Sequence, residues 1–351
     1  MEVVRVDPRR PDPAAIEMAA RALRDGALVV FPTETVYGLA ARADDPLAVR
    51  ALRDAKGRDA DKPLTLHLPD LAAFEARFSP LPAAVGRLAR RALPGPVTLV
   101  LPDRDGGTIG VRVPDDAVAR AVLAAAGCPV VASSVNAAGE PPATTGSDAA
   151  IFAAGKAAVV LDAGPSRLGR PSTVVRFEGA RVEVLREGAM PAAEVLERAA
   201  RVLLFVCTGN LCRSPLAAIL AVGALARRRG CSPAELPSLG VAVLSAGTAA
   251  ELGRRATPES VAEARARGLD LAGHRSRPLT PALLDRSDRV YVMEAAQRAR
   301  ILEFAPEASE SVYLLDPGGR DVPDPFGRGP EFYGRTARML EAAVEERVKD
   351  E

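Results

Sequence analysis

Val202-Leu203-Leu204-Phe205-Val206-Cys207-Thr208-Gly209-Asn210-Leu211-Cys212-Arg213-Ser214-Pro215 is the stretch on which the reading of this chain turns. The apolar run 202–206, with its β-branched and aromatic side chains, predicts a short buried strand. Ser214-Pro215 is a helix-start signal, and residues 216–229 continue with helical periodicity, rich in Ala, Leu and Arg. The loop between them therefore ends at a helix N-terminus, where unpaired N–H groups and the helix dipole attract an anion. Gly209 lets the backbone curl so that amides point inward. Arg213 offers a planar fork to two oxygens of a tetrahedral oxyanion. A cysteine in such a field is expected as the thiolate, the form that attacks. A structural cysteine at a strand end is the plain alternative. The Cys-x5-Arg-Ser-Pro spacing between strand and helix weighs against it.

Phosphoryl transfer to a thiolate also needs an acid for the leaving group. Asp324 is the candidate, in the loop Asp321-Val322-Pro323-Asp324-Pro325-Phe326-Gly327, whose prolines and glycine hold it out of any helix. Taken in order, the loop 207–215, Ser245-Ala246-Gly247-Thr248, Gly273-His274-Arg275-Ser276-Arg277 and Asp324-Pro325-Phe326-Gly327 resemble the low-molecular-weight protein tyrosine phosphatases, over about residues 201–347. The resemblance implies a Rossmann- or flavodoxin-like parallel four-stranded sheet. It implies Cys207 as nucleophile, Arg213 as phosphate clamp and Asp324 as acid and then base, with no cofactor. Thr208, Gly209, Asn210, Leu211 and Cys212 complete the phosphate loop. Ser214 would hydrogen-bond the thiolate, and Ser245 and His274 would hold Asn210 in a strained conformation. Cys212 would be placed to form a protective disulfide with Cys207 on oxidation, or to serve as a small apolar side chain beneath the loop.

Two substrates stay open. Asp-Pro-Phe-Gly is shared with bacterial phosphoarginine phosphatases, whereas Leu211 stands where those enzymes tend to carry Thr, which favours phosphotyrosine. Arsenate reduction, also known in the family, needs further cysteines. The chain has Cys128, Cys207, Cys212 and Cys231, and none lies between His274 and Asp324.

The chain has 351 residues, enough for two domains, with 48% hydrophobic and 26% charged residues, as in globular proteins. No apolar run approaches the length of a membrane span. Met1-Glu2-Val3-Val4-Arg5 lacks a signal-peptide pattern, and four cysteines make no disulfide framework, so a cytoplasmic location is expected. Residues 1–200 hold 25 basic and 25 acidic side chains and residues 201–351 hold 21 and 20, so neither half is a general polyanion binder.

In the first half, strand-like and helical runs alternate. Helices are expected at 14–24, 47–56, 81–92 and 117–126. Strands are expected at 27–31, 64–68, 97–101, 109–113, 130–132, 158–161 and 173–177. The whole reads as α/β with a mixed sheet. Residues 191–200 read as a short helical connector to a second domain at 201–351. Hydroxyls, an amide and at least four cations cluster at strand ends, a set that suits a small zwitterion beside a polyphosphate.

Pro32-Thr33-Glu34-Thr35-Val36-Tyr37-Gly38-Leu39, the segment 56–64, Pro94-Gly95-Pro96-Val97-Thr98, Val111-Arg112-Val113-Pro114, Ser134-Val135-Asn136, Pro171-Ser172-Thr173-Val174-Val175 and Leu185-Arg186-Glu187-Gly188 together resemble the YrdC family, over about residues 3–190. Its members are the threonylcarbamoyl-AMP synthases that feed the tRNA modification t6A. The resemblance implies a YrdC-like twisted mixed sheet over residues 1–190. It implies condensation of L-threonine with bicarbonate, then adenylylation by ATP with Mg²⁺ and release of pyrophosphate. Thr33, His67, Arg112 and Ser172 would contact threonine or its carboxylate; Lys56, Arg58, Lys62, Ser134, Asn136 and Arg186 would face ATP. No protein metal site is expected. Leu93 stands where the family usually has Trp, and Val135 where Ala is commoner.

The two resemblances imply a bifunctional enzyme. Its expected partners are L-threonine, bicarbonate, ATP, a phosphoprotein and the tRNA threonylcarbamoyl-transfer machinery. Rival readings make the first half an RNA-binding module and the second a phosphoprotein-binding domain.

Overall fold

A computed structural model describes residues 1–57, 64–103, 106–137, 139–179 and 181–349. The chain divides into two compact units, Met1–Ala199 and Ala200–Glu351.

In the first unit ten strands form one mixed sheet: β1 (Glu2–Arg5), β2 (Val29–Phe31), β3 (Gly38–Arg42), β4 (Thr65–His67), β5 (Val97–Pro102), β6 (Thr108–Arg112), β7 (Val130–Ser134), β8 (Val159–Asp162), β9 (Thr173–Glu178) and β10 (Arg181–Arg186). Their spatial order is β1-β8-β2-β3-β7-β4-β6-β5-β9-β10. The helices are α1 (Pro13–Arg24), α2 (Pro46–Lys56), α3 (Leu71–Phe78), α4 (Ala83–Ala92), α5 (Ala117–Ala126), α6 (Gly146–Ala153) and α7 (Ala192–Ala199). Side chains alternate across each strand, so both faces of the sheet need cover. Val29 and Phe31 of β2 pack with α1 and α5, while Val30 between them packs with α2 and α6. Four helices start on aspartates, Asp12, Asp45, Asp70 and Asp116, each accepting a backbone N–H of the first turn. The stretch 191–200 is helical as α7, and it packs inside this unit: Val195 and Ala199 join Leu88, Leu99 and Val182 in one apolar cluster.

The second unit has four parallel strands, β11 (Arg201–Cys207), β12 (Val241–Gly247), β13 (Arg289–Val292) and β14 (Val312–Leu314), in the order β12-β11-β13-β14. Its helices are α8 (Arg213–Arg229), α9 (Pro258–Arg265), α10 (Pro281–Asp285), α11 (Ala295–Phe304) and α12 (Pro330–Arg347). Leu203, Phe205 and Cys207 face α8 and α12, and Leu204 and Val206 face α10 and α11. Chain order reverses at β11, flanked by β12 and β13. In open α/β sheets such a switch point leaves a crevice at the C-terminal ends of the strands, and β11 ends there at Cys207. The helix after it begins at Arg213, one residue before the Ser214-Pro215 signal, so the guanidinium belongs to the first helical turn.

Candidate active sites

The loop from Cys207 to Arg213 is held by Asn210. This residue has φ 54°, the one non-glycine residue in the left-handed region among the described residues. For a residue with a Cβ that conformation costs energy, and four hydrogen bonds hold it. Asn210 Nδ2 donates to Ser214 Oγ (2.9 Å) and Ser245 Oγ (3.0 Å). Its Oδ1 accepts the Arg277 N–H (2.9 Å), and its carbonyl accepts His274 Nε2 (2.8 Å). A carbonyl only accepts, so Nε2 carries the ring proton; burial holds the His274 pKa below its ordinary value. The bent loop then aims the Asn210 N–H at Cys207 Sγ (3.3 Å), with Ser214 Oγ at 3.0 Å from the same sulfur. The single Ser214 proton has a second acceptor in Ala246 O (3.1 Å).

Arg213 is almost wholly buried. Its Nη1 donates to the Glu294 carboxylate and to Val322 O (3.0 Å), and its Nη2 to Asp324 Oδ2 (2.7 Å). Asp324 keeps nearly half of its side chain exposed, 47%. Glu294 is a residue of the 207–213 loop's surroundings that sequence reasoning missed. Its one signal is its place after β13 and before α11, where it and Gln297 form a capping box. Gln297 Nε2 also reaches Thr208 Oγ1 (3.2 Å), tying the clamp to the far side of the loop. Cys212 Sγ lies 3.4 Å from Tyr333 Oη and 3.6 Å from Thr257 Oγ1, and burial pushes its thiol pKa up. Leu211 is half-buried, and Phe326 projects into solvent after Asp324-Pro325.

Gly247 lets β12 approach the loop. A Cβ there would lie 2.4 Å from Thr208 O and 2.9 Å from Asn210 N, both backbone. Gly247→Ala is therefore expected to displace the loop and lower phosphatase kcat by roughly 10-fold or more, with the chemistry of the first unit unchanged. Steady-state assays of both activities on one preparation check it.

In the first unit, a cavity of about 510 Å³ is lined by Thr33, Lys56, His67, Arg112, Ser134, Asn136, Ser172 and Arg186. These are all of the candidates among the described residues; Arg58 and Lys62 lie outside them. The sheet brings them together from far apart. His67 and Arg112 are cross-strand partners on parallel β4 and β6. Ser134 ends β7, and Lys56, at the end of α2, donates to its carbonyl and to Asn136 Oδ1 (3.0 Å). Arg186 Nη2 donates to Ser172 O (2.9 Å), and Ser172 Oγ pairs with Thr98 Oγ1 (2.8 Å). Thr33 Oγ1 donates to Val36 O (2.6 Å) and accepts the Val36 N–H (3.2 Å), which pins the turn after β2.

His67 Nδ1 lies 2.9 Å from Thr65 O and so carries a proton. Burial, then the Arg112 charge, pushes its pKa down to about 3, so the ring is neutral near pH 7 and Nε2 is an acceptor. Thr98, from the Pro94–Thr98 segment, also lines the cavity, as do Thr65 and Glu140, which were not among the candidates. Among the described residues no group of three or more His, Cys, Asp or Glu could hold a metal ion, and no helix is long and apolar enough to cross a membrane.

Comparison with known proteins finds a family for each unit. The Sua5–YciO–YrdC family model, described as telomere recombination, matches residues 21–188. The low molecular weight phosphotyrosine protein phosphatase model matches residues 202–350. A putative threonylcarbamoyl-AMP synthase of Mycobacterium tuberculosis is 36% identical over 191 residues, 52% of this chain and 88% of the relative. The probable low molecular weight protein-tyrosine-phosphatase EpsP of Ralstonia nicotianae is 34% identical over 146 residues, 41% of this chain and 92% of the relative. The chain belongs to both families.

The chain also resembles the solved structure of a double-substitution variant of P. abyssi Sua5, with TM-score 0.53 and 27% identity, covering 70% of this chain and 91% of that one. The threonylcarbamoyl-AMP synthase of Pyrococcus abyssi is 38% identical over 189 residues, 51% of this chain and 56% of the relative. The chain thus spans about half the length of the first curated synthases it matches. The phosphatase-family unit occupies the remainder of this chain.

Proposed function

We propose that the chain is a bifunctional enzyme. The first unit makes L-threonylcarbamoyladenylate from L-threonine, bicarbonate and ATP, the donor for t6A in tRNA. The second hydrolyses a phosphoprotein through a phosphocysteine intermediate. For the second unit the reading rests on one arrangement: Cys207, the Asn210 amide and Ser214 at the sulfur, with Arg213 and Asp324 in contact beside them. The sulfur attacks phosphorus opposite the leaving oxygen. Arg213 and the loop amides hold the equatorial oxygens as their charge builds. Asp324 protonates the departing oxygen and then takes a proton from the water that releases phosphate and the thiolate.

For the first unit the reading rests on the cavity. Arg112 and a neutral His67 stand at one part of its wall, and Lys56, Ser134, Asn136 and Arg186 at others. An amino-acid carboxylate suits the guanidinium, and a triphosphate suits the cations. Mg²⁺ would enter on the nucleotide, because the cavity offers cations and hydroxyls rather than a carboxylate cage. When bound it would neutralise charge on the phosphate oxygens. No covalent nucleophile is needed: the chain's residues bind, orient and exclude water.

Pyrophosphate release that requires L-threonine, bicarbonate and ATP together tests the first activity. Salt-dependent RNA binding without that release would make the unit an RNA-binding module instead. Leu211 supports phosphotyrosine over phosphoarginine, since its side chain has no hydroxyl to orient a water. Faster turnover of a phosphotyrosine peptide than of its matched phosphoarginine peptide is expected; the reverse order would put the Asp324–Gly327 loop in control of specificity.

A further inference from the structure

Glu34 lies in the turn that follows β2, between the two threonines of Thr33-Glu34-Thr35. It is 1% exposed, and neither carboxylate oxygen has a hydrogen-bond partner among the described residues. Among the described residues its ion-pair partner is Arg112, whose Nη2 stands 2.8 Å from Oε1. The same Nη2 donates to Thr35 Oγ1 (2.7 Å). Arg112 is itself buried, and its Nε–H has no partner among the described residues. Glu34 is absent from the cavity wall, whereas Arg112 is part of it. The backbone of Glu34 is fixed as well, its carbonyl accepting the Leu168 N–H (2.8 Å). Two consecutive side chains of one pinned turn therefore hold one corner of a guanidinium from behind.

A long, buried side chain facing an open cavity has several rotamers to choose from, and a carboxylate at one corner removes that choice before substrate arrives. We infer that Glu34 is a positioning residue for the synthase reaction: with Thr35 it holds the Arg112 fork in the orientation that receives the carboxylate of L-threonine. This rests on the proposed synthase activity. It makes a prediction of definite sign. Were Glu34 only a countercharge, withdrawing it would leave Arg112 more positive and tighten threonine binding. A positioning role predicts weaker binding whenever the carboxylate is moved, even with its charge kept.

Glu34→Asp keeps the charge and draws it back by one methylene; Glu34→Gln keeps the reach and drops the charge. Steady-state KM for L-threonine and for ATP, with L-threonine titration calorimetry on the full chain, reads both. Glu34→Asp is expected to raise the threonine KM and Kd roughly tenfold and to leave the ATP KM within about twofold. Glu34→Gln is expected to stay nearer the parent. An Asp variant that binds threonine as tightly as the parent, or a Gln variant that binds it more tightly, would overturn the inference. So would equal losses for threonine and ATP, the mark of a merely structural role. A parent protein that binds no L-threonine at all would remove the synthase reading, and the inference with it, an outcome distinct from these.

Discussion

Cys207→Ser is expected to lower phosphatase kcat by roughly 10⁴-fold or more, while threonine-dependent pyrophosphate release stays at the parent rate. A serine hydroxyl at this position is a weak nucleophile at neutral pH and needs a base to activate it. Among the described residues, the sulfur's hydrogen-bond partners are the Asn210 N–H and the Ser214 hydroxyl, groups that favour an anion but do not remove a proton. The variant is expected to keep the fold, because the new hydroxyl is smaller than the thiol and has the same two partners within reach. Binding of phosphate should survive, since Arg213 and the loop amides are untouched. Release of pyrophosphate reports on residues 1–199, a separate compact unit. Both activities are measured on one preparation; loss of the two together would end the two-site reading.

Asp324→Asn is expected to slow cleavage of a phosphoprotein or phosphopeptide by roughly 10²-fold. An activated aryl phosphate, whose leaving group departs without a proton, should lose less than roughly tenfold. The amide keeps the size of the carboxylate and can still lie beside Arg213, so the comparison isolates the proton. The structure also defines the competing outcome. Asp324 Oδ2 is 2.7 Å from Arg213 Nη2, so the carboxylate helps orient the clamp as well. Equal losses on both substrates would assign Asp324 to that orienting role and leave the leaving-group proton to water. Glu294 provides the contrast, because it holds the same guanidinium through its other nitrogen, Nη1.

Much of this was legible because the signals are local. The strand at 201–207, the helix after it and the loop between them are adjacent in sequence, and the physics that suits such a loop to an anion acts over about ten residues. The helices begun by Asp12, Asp45 and Asp116 were legible for the same reason. Other elements were not. Gly38-Leu39-Ala40-Ala41-Arg42 has little strand propensity, yet it is β3, because β2 and β7 pair with it on both sides. Strand β1 has exposed Glu2, Val3 and Arg5, no alternation strong enough to read, and is held as an edge by β8. Helices α3 and α6 are eight residues each, too short for a clear apolar stripe. The short helix expected as a connector proved to be α7, part of the first core, because Val195 and Ala199 find an apolar wall that no local pattern announces.

By itself, then, the sequence determined the two families to which the chain belongs. Candidates for nucleophile and clamp follow from residue type and spacing, the candidate acid from the family resemblance, and the candidate hydroxyls and cations from their place at the ends of the first unit's strands. What only the tertiary structure decided is who holds them. Glu294 reaches Arg213 across 81 positions, and Glu34 reaches Arg112 across the sheet. A carboxylate that orients an arginine leaves no periodic or spaced mark, since long-range pairing depends on strand order and register. The sheet sets that partner when β11 comes to lie between β12 and β13, and when β4 and β6 bring His67 beside Arg112.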